Sequence, residues 1–447
     1  MIYQEAIQFL NSLPNYEKDP SYDYESVKLD RIKKLLADLG NPQDKFKSIH
    51  VAGTKGKGST CVFVFNILKE AGYKVGLYTS PHLIDVKERI KITYHDEMNE
   101  TRERIIEQQE ISKLVEKIKI FSDQIPGVTF FEFYTALAFC FFAEKEVDFA
   151  VVETGLGGRL DATNVLKPLI CAITNISLEH TALLGKNVEK IAREKAGIIK
   201  ENSLVVSVPQ QADAFRQISQ AARDKNARLY ELGRDFIYDA IGSNLQGSFF
   251  DFRGISASYQ NLQISLLGQF QVENAALALS VIQLLRLYDI VISLVAIKNG
   301  LKNAHWPGRM QVIHQRPFVV VDGAQNEASA KALKGAINML FRPKKTIVVL
   351  GVSKDKNVED MAQHLIYGKN VVVLTQANTP RAMNVDDLEK RLHRYQKVIK
   401  KTYSVSEALE EAVKNISSPE DIIIIAGSLY LVGEVFSLLR SIKFPQY

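Results

Sequence analysis

The chain has 447 residues, enough for two or three domains at roughly 150 residues each and for a substantial core. Hydrophobic residues make up 46% and charged residues 24%, which excludes a disordered, collagen-like or coiled-coil protein. The 56 basic and 51 acidic residues leave a net charge of +5, which suits an anionic small molecule and is too small for a nucleic-acid-binding surface. Three isolated cysteines exclude a disulfide scaffold and a cysteine-rich zinc site, and they indicate a reducing compartment.

The sequence shows no targeting or membrane signal. Gln4, Glu5 and Gln8 stand where a signal peptide has its apolar core. The longest apolar run, 133–143, is too short to cross a bilayer. We therefore expect a cytoplasmic protein that binds neither a membrane nor nucleic acid.

Short apolar runs alternate with helical patterns over the first two thirds of the chain, which predicts an α/β fold with a mostly parallel sheet. The predicted strands are 48–52, 75–79, 149–153, 169–175 and 205–208. The predicted helices are 59–71, 111–122, 133–145, 188–199, 211–225, 272–287 and 292–299. Between them, residues 227–268 form a β-rich patch with alternating runs at 249–252 and 262–266.

The pattern breaks at 303–308, where Pro307 removes a backbone donor and Gly308 frees φ. The alternation then restarts, with predicted strands at 318–321, 346–350, 371–374 and 422–426. Helices are predicted at 328–340, 358–365, 385–392, 405–415 and 429–439. About 140 residues are enough for a separate domain, so we expect two domains, over 1–304 and 305–447.

The sharpest motif lies between the first predicted strand and the helix after it, in HVAGTKGKGST at 50–60. Glycines let backbone N–H groups turn inward on an anion, and the N-terminus of the next helix adds partial positive charge. Lys57 can meet the β- and γ-phosphates of a nucleotide. The strict Walker pattern fails because Gly58 separates Lys57 from Ser59. The motif predicts nucleotide binding; the alternative is an incidental glycine-rich turn.

Three other predicted strands lead into polar residues: Ser80, Glu153 and His180. Ligands of open α/β sheets bind at the carboxyl ends of the strands, so these groups are expected near the phosphate loop if their strands are neighbours. A carboxylate there can hold Mg²⁺ directly or through water. Taken singly, Ser80 could cap a helix, Glu153 could pair with Arg159, and His180 could be an ordinary surface residue.

Three further residues have both a functional and a structural interpretation. Asp161, in GGRLDATN, is either a site residue or a turn-forming aspartate. Lys195, in REKAGIIK, is either a site residue or part of a solvated helix face. Asp322 ends a predicted strand and is a candidate for a ribose hydroxyl, with a helix cap as the alternative.

These motifs belong to a series in which the sequence resembles folylpolyglutamate synthase/dihydrofolate synthase, of the Mur-ligase superfamily of ATP-dependent amide-bond ligases. The series covers nearly the whole chain: GTKGKGST, YTSPHL, FFEFYTALAF, ETGLGGRLDATN, REKAGIIK, QVENAALAL, HWPGRM, VDGAQN, TPRAM and GSLYL. The resemblance implies an N-terminal P-loop ATPase domain, a C-terminal Rossmann-like glutamate-ligase domain and an active site in the cleft between them. It also implies that ATP converts a carboxylate to an acyl phosphate, which the amine of glutamate attacks.

The resemblance further implies a set of site residues. ATP contacts are expected from Gly56, Lys57, Gly58, Ser59, Asn274, Arg309 and Asp322. Mg²⁺ would lie on Ser80, Glu153 and His180, and Lys195 matches a lysine that carries a carbamate and helps to hold a second Mg²⁺. The pterin-bearing substrate is expected near Thr129, Phe130, Phe131, Glu132, Leu160, Asp161 and Ala162, and glutamate near Arg381 and Ser428. The expected catalytic residues are Lys57, His180 and Lys195.

The sequence also departs from the family pattern. Lys55, Glu179 and Gln325 stand where the family usually has Asn, Asp and His, and Lys28 stands where glycine is expected. Asp161 and the TSPH motif resemble forms of the family that accept dihydropteroate as well as folates, so we expect both activities. We also expect a monomer. The alternatives are an enzyme restricted to one of those substrates and a nucleotide-binding regulator that has lost transfer.

Overall fold

Two mostly parallel sheets and one small antiparallel sheet organise the chain. The computed structural model describes residues 1–17, 28–367, 370–395, 399–439 and 442. Within those ranges, no helix is both long enough and apolar enough to span a bilayer.

The first sheet has eight strands: β1 Lys47–Ala52, β2 Val75–Tyr78, β3 Ile90–His95, β4 Thr101–Ile105, β5 Phe149–Glu153, β6 Ile170–Ile173, β7 Leu204–Ser207 and β8 Arg228–Glu231. Their order is β4-β3-β2-β5-β1-β6-β7-β8. The six strands β2, β5, β1, β6, β7 and β8 are parallel to one another, while β3 and β4 add an antiparallel edge. The carboxyl ends of β2, β5, β1 and β6 therefore lie side by side.

The helices of this part are α1 Tyr3–Ser12, α2 Asp30–Asp38, α3 Lys57–Glu70, α4 Gln108–Ser122, α5 Phe130–Glu144, α6 Thr181–Leu184, α7 Val188–Ala196, α8 Ala212–Asp224, α9 Phe270–Leu284 and α10 Leu294–Lys302. Both faces of the sheet are buried, as a parallel sheet requires. Along β5, Val151 packs in the apolar cluster of α3 and α9, whereas Ala150 and Val152 pack in that of α4 and α5. This two-sided burial explains why the strand reads as a continuous apolar run.

The β-rich patch predicted at 227–268 is confirmed. Besides β8 it contains β9 Ile237–Asn244, β10 Gly247–Arg253 and β11 Ser258–Ile264, which form an antiparallel sheet in the order β11-β10-β9. Phe250 and Phe252 of β10 belong to the same buried cluster as α9. The small sheet thus packs onto the first sheet's helices and extends their core.

The second sheet contains β12 Gln311–Gln315, β13 Phe318–Asp322, β14 Thr346–Leu350, β15 Val371–Leu374, β16 Ile399–Lys401 and β17 Ile422–Ala426. Its order is β12-β13-β17-β14-β15-β16, with β12 alone antiparallel. The helices after 305 are α11 Glu327–Leu340, α12 Val358–Leu365, α13 Val385–Arg391, α14 Val405–Lys414 and α15 Leu429–Leu438. The predicted α/β class is confirmed in both halves.

The sequence patterns missed several elements and misplaced several helix starts; α4 and α5, predicted from 111 and 133, begin at Gln108 and Phe130. The strands β3, β4, β12 and β16 and the helices α1 and α2 were not predicted. Edge strands such as β4, TRERI, carry charged residues and lack a continuous apolar run, so their sequence gives little signal. The helix predicted from residue 59 begins at Lys57, because Gly56 takes a left-handed φ of 93° and starts the helix two residues earlier.

Candidate functional site

The phosphate loop is tightly enclosed by two distant segments. A Cβ on Gly56 would lie 2.2 Å from Oδ1 of Asn274, on α9. A Cβ on Gly58 would lie 2.8 Å from the ring of Trp306, in the 303–308 segment. The first turn of a helix offers unpaired backbone N–H donors, and here those donors lie beside the closely packed loop. Only glycine fits at either position without moving a neighbour.

Lys57, Glu153 and Ser80 meet at the ends of three neighbouring strands. Lys57 Nζ lies 3.8 Å from Glu153 Oε1, and the backbone N–H of Ser80 donates to Glu153 Oε2 at 3.3 Å. Glu153 is buried, and that burial raises the pKa of its carboxyl, although Lys57 opposes the shift. The charges of Lys57 and Arg309 thus offset only part of the cost of burying this carboxylate.

Lys195 is buried rather than on a solvated helix face, which excludes that alternative. It lies on α7, is 5% exposed, and its Nζ donates to the carbonyl of Gly53 at 2.7 Å. Burial lowers the pKa of its ammonium group to about 7, with the charge of Lys57 acting in the same direction. A large fraction of Lys195 is therefore a neutral, nucleophilic amine near neutral pH.

His180 occupies the junction between β6 and α6. It takes a left-handed φ of 50°, and burial lowers the pKa of its imidazole to about 4, so the ring is neutral at physiological pH. The ring borders a small cavity of about 30 Å³, whose lining includes Gly53, Lys57, Glu179, His180 and Lys195. Three groups expected from separate motifs, Lys57, His180 and Lys195, thus surround one space.

The donor set at this edge suits a hard divalent cation. Ser80 and Glu153 supply a hydroxyl and a carboxylate, which are ligand types that Mg²⁺ accepts. A cation would also offset the burial of the Glu153 carboxylate noted above. No group of three His, Cys, Asp or Glu side chains converges as a ready metal cage in the described ranges. A Mg²⁺ ion held here would therefore need oxygen donors from water or a bound phosphate as well.

A cleft of about 600 Å³ opens beside the small cavity and separates the two sheets. We call its lining residues between 16 and 183 the first wall and those between 325 and 430 the second wall. The predicted site residues of the first wall are Ser80, Thr129, Phe131, Glu132, Leu160, Asp161, Ala162 and His180. The second wall includes Gln325, Asp355, Lys356, Arg381 and Tyr430.

Two predicted substrate residues use their side chains elsewhere. Phe130 is 5% exposed, stacks on Tyr134 and lies beneath the guanidinium of Arg89 at 5.3 Å. Ser428 caps α15, and its hydroxyl oxygen accepts from the backbone N–H of Leu431 at 3.1 Å. Neither residue borders the cleft, because one belongs to the core and the other to a helix terminus.

Asp161 ends a buried hydrogen-bond chain. Its Oδ2 accepts from the backbone of Leu156 at 2.9 Å, and its Oδ1 accepts from the Thr163 hydroxyl at 2.5 Å. His50 Nε2 lies 2.8 Å from that hydroxyl oxygen. Because the hydroxyl gives its proton to Asp161, His50 donates through Nε2. Burial raises the pKa of Asp161 and lowers that of His50 to about 3, so the ring is neutral.

Glu132 is held by contacts on both sides of its carboxylate. It forms a capping box with Thr129, whose backbone N–H donates to Glu132 Oε2 at 2.8 Å. Arg31 Nε donates to Glu132 Oε1 at 3.1 Å. These contacts fix the start of α5 on the cleft floor and leave a rigid surface there.

Arg309 and Asp322 lie where the second sheet begins. Asp322 is buried and accepts from the backbone N–H groups of Met310 and Ala324, both at 2.7 Å. Burial raises the pKa of its carboxyl, and Arg309 opposes the shift. A Cβ on Gly323 would lie 2.3 Å from Arg309 Nη1, so the guanidinium lies directly over the strand end. The helix-cap alternative for Asp322 is wrong, because Asn326 caps α11 and Asp322 instead holds the segment before β12 through Met310.

Glu17 and Asp355 line the cleft and were not predicted from the sequence. Arg89 is fully buried and holds both oxygens of Glu17, at 2.8 and 2.6 Å. Arg381 donates to the carbonyl of Glu17 at 2.8 Å and pairs with Asp355 at 3.1 Å. No local motif distinguishes Glu17 or Asp355, because they join the site only through tertiary contacts.

Comparisons with known proteins agree with this architecture. The Mur ligase middle domain matches residues 51–282, and the Mur ligase glutamate ligase domain matches residues 308–429. The dihydrofolate synthase/folylpolyglutamate synthase of Bacillus subtilis is 34% identical over 448 residues, covering 98% of this chain and 99% of the relative. Among solved structures, a Mycobacterium tuberculosis folylpolyglutamate synthase complexed with ADP superposes with a TM-score of 0.87 at 28% identity, covering 99% of both chains. Escherichia coli FolC in complex with DHPP and ADP gives a TM-score of 0.85 at 28% identity, covering 99% of this chain and 98% of that one.

Proposed function

Because the chain belongs to the dihydrofolate synthase/folylpolyglutamate synthase family of Mur ligases, we propose that it joins L-glutamate to dihydropteroate and to folates at the expense of ATP. The chain is an ATP-dependent ligase of this family. One observation carries the proposal: Lys57 and Glu153 meet at the end of neighbouring strands, beside a cleft whose two walls come from the two sheets.

ATP is assigned to the phosphate loop. Gly56, Gly58 and Ser59 lie at the start of α3, where backbone N–H groups and the helix terminus favour phosphate. Lys57 supplies positive charge as the γ-phosphoryl group is transferred. Asn274 borders Gly56, while Arg309 and Asp322 reach the nucleotide from the second sheet.

The reaction has two steps that conserve atoms. A carboxylate oxygen of the pteroyl substrate attacks the γ-phosphorus of ATP, ADP leaves, and an acyl phosphate forms. The neutral amine of glutamate then attacks the acyl carbon, and phosphate leaves with the former carboxylate oxygen and takes up the proton that the amine loses. Negative charge grows first on the phosphoryl oxygens and then on a tetrahedral oxyanion, so the fixed charges of Lys57 and Arg309 stabilise both steps.

Mg²⁺ and a lysine carbamate complete the proposal. Ser80, Glu153 and His180 would hold one Mg²⁺, and Lys195, as a carbamate, would help to hold a second. When bound, these ions supply positive charge at the transferring phosphoryl group. The low pKa of Lys195 supports the carbamate, because only the neutral amine adds to carbon dioxide.

The substrates are assigned to opposite walls. The pterin-bearing substrate would lie on the first wall, near Thr129, Phe131, Leu160 and Asp161, with Glu132 shaping the floor. Glutamate would lie on the second wall near Arg381, whose guanidinium suits a carboxylate. We assign the two walls to domains over 1–304 and 305–447. Since one chain supplies both walls, a monomer suffices for activity.

Product formation tests the proposal. Purified protein with Mg²⁺ and ATP should release ADP and phosphate only when a pteroyl acceptor and glutamate are both present. Dihydropteroate and tetrahydrofolate should each yield a product one glutamate longer. Turnover with only one acceptor would support a single-substrate enzyme. Nucleotide binding without any amide product would overturn the proposal and favour a regulator.

A further inference from the structure

The carboxylate of Glu179, on the first wall, contacts both the phosphate loop and the second wall. Glu179 Oε1 lies 2.7 Å from Nζ of Lys55, which belongs to the phosphate loop. The same oxygen accepts from Gln325 Nε2 at 3.2 Å and lies 3.7 Å from Lys356 Nζ. Gln325 follows β13 and Lys356 follows β14, so both belong to the second wall. One oxygen atom therefore connects the phosphate loop to the second sheet.

The segment that carries Glu179 is fixed to the phosphate loop by its backbone. The N–H of Thr54 donates to the carbonyl of Asn175 at 2.8 Å. The Thr54 hydroxyl donates to the carbonyl of Ser177 at 3.2 Å and accepts from its N–H at 3.1 Å. A displacement of Glu179 toward or away from the second wall is thus transmitted to the loop.

The charges in this cluster depend on one another. Burial alone would raise the pKa of Glu179, but the ammonium groups of Lys55 and Lys356 hold it well below its usual range. Glu179 and Lys356 are each only 9% exposed. Without the carboxylate, the ammonium group of Lys55, which is 29% exposed, and the buried one of Lys356 would lose the partner they share and repel each other.

The cluster also extends to the residue assigned to glutamate. Lys356 Nζ lies 3.3 Å from Asp355, and Asp355 pairs with Arg381 at 3.1 Å. The chain of contacts therefore runs from the phosphate loop to the second wall's binding residue. Three of its members, Lys55, Glu179 and Gln325, are among the positions at which the sequence departs from the family pattern, and here Lys55 and Gln325 both contact Glu179.

We propose that Glu179 is a positioning residue that couples nucleotide binding on the phosphate loop to the second wall through Gln325 and Lys356. Nucleotide affinity should then depend on second-wall residues that belong to neither the loop nor α3. This inference rests on the proposed function only in requiring that the loop bind nucleotide.

The test measures the affinity of the full chain for AMPPCP with Mg²⁺. Trp306 is the chain's single tryptophan and borders Gly58, so its fluorescence can report binding, with calorimetry as a second method. Lys356→Met should weaken binding at least fivefold, and Glu179→Gln at least as much. The double variant should bind like Glu179→Gln alone, because Lys356 acts through the carboxylate.

Two further variants guard against simpler explanations. Gln325→Leu removes no charge and should still weaken binding two- to threefold by our own expectation for one lost hydrogen bond. Lys331→Met, on the exposed side of α11, should bind like the wild type. Affinities within twofold of the wild type for Lys356→Met and Gln325→Leu, or losses that multiply in the double variant, would overturn the coupling.

The outcomes separate the two proposals. A wild-type chain that binds AMPPCP but makes no amide product overturns the proposed function alone, since the affinity cycle needs no transfer. A chain that binds no AMPPCP overturns both. If Glu179→Gln fails to fold in a thermal melt, the comparison of Gln325→Leu and Lys356→Met with Lys331→Met decides the question.

Discussion

The small cavity and the second wall of the cleft hold their charged groups in different ways. Around the small cavity, Lys195 is anchored to a backbone carbonyl and Lys57 lies beside a buried carboxylate. On the second wall, Arg381 and Asp355 form an ion pair whose side chains are 17% and 31% exposed. Lys57 and Arg381 are exposed to a similar extent, 16% and 17%, but their carboxylate partners differ, since Glu153 is 6% and Asp355 31% exposed. The small cavity therefore holds a desolvated carboxylate and a lysine tied to the backbone, whereas the carboxylate on the second wall is partly solvated.

This contrast suggests a division of labour. Fixed charges act more strongly on a transition state when water is excluded, so groups at the small cavity should govern the rate of transfer. Solvated side chains adjust to a ligand at lower cost and should govern its affinity. Substitutions at the small cavity are therefore expected to lower kcat, and those on the second wall to raise KM.

The largest effect is expected at Lys57. Lys57→Ala removes the cation that we assign to the transferring phosphoryl group, and we expect kcat to fall by on the order of a thousandfold or more. Steady-state ADP release in the presence of acceptor and glutamate measures the change. Lys186→Ala, an exposed lysine after α6, should leave kcat unchanged. Near-normal turnover of Lys57→Ala would show that the groups at the small cavity do not govern the rate of transfer.

Lys195 should give the next largest effect. Lys195→Ala is expected to lower kcat by roughly a hundredfold, and added acetate or formate should restore part of it by supplying the missing carboxylate. Removing carbon dioxide and bicarbonate should lower wild-type turnover reversibly, because the carbamate forms from carbon dioxide. A variant that no short carboxylate rescues, together with a wild type indifferent to bicarbonate, would refute the carbamate.

Arg381 tests the second wall, where substitutions are expected to raise KM. Arg381→Met should raise KM for glutamate by about tenfold, consistent with the loss of a charge-assisted hydrogen bond, while kcat changes much less. Arg394→Met, an exposed arginine, serves as the matched control. If Arg381→Met lowers kcat and leaves KM unchanged, the second wall takes part in transfer and the division fails.

The smallest effect concerns stability rather than turnover. His50 is buried and neutral, with a folded-state pKa of about 3, so the unfolded chain binds its proton more readily. Stability should therefore fall as pH drops below about 6.5, by about 2 kcal/mol between pH 7 and pH 5 from this residue alone. Urea unfolding at both pH values should show a smaller difference in His50→Gln than in the wild type.

The control for His50 is another histidine. His95 is exposed at the end of β3, so His95→Gln should keep the wild-type pH difference. If His50→Gln and His95→Gln behave alike, the buried chain from His50 to Asp161 does not hold its proton arrangement in the folded protein.

The same contrast explains what sequence reasoning could predict. The phosphate loop, Ser80, Glu153 and His180 each follow a predicted strand, and the order of β2, β5, β1 and β6 brings those strand ends together. The local sequence pattern, together with the rule that ligands bind at the carboxyl ends of parallel strands, was therefore sufficient to predict that these residues lie near one another. The burial of Lys195 could not be predicted in this way. Its helix pattern favoured a solvated face, and only tertiary packing buries the side chain.

The second wall lay beyond local patterns. Asp355 and Lys356 can be assigned to the site only from their contacts with Arg381 and Glu179. Both of these partners are distant in sequence. Glu17 joins them because its carbonyl oxygen accepts from Arg381, while the buried Arg89 holds its carboxylate. Side-chain networks between separate segments depend on the packing of both sheets, and neither hydrophobic periodicity nor motif spacing encodes that packing. Ser428 shows the converse, since its position after β17 makes it a helix cap.

The fate of the substrate's carboxylate oxygen tests the central claim most directly. A pteroyl acceptor labelled with ¹⁸O in its reacting carboxylate is converted with unlabelled ATP and glutamate, and the released phosphate is analysed by mass spectrometry. Transfer through an acyl phosphate predicts one ¹⁸O in phosphate for each amide bond formed. Phosphate without ¹⁸O, alongside normal amide product, would contradict it.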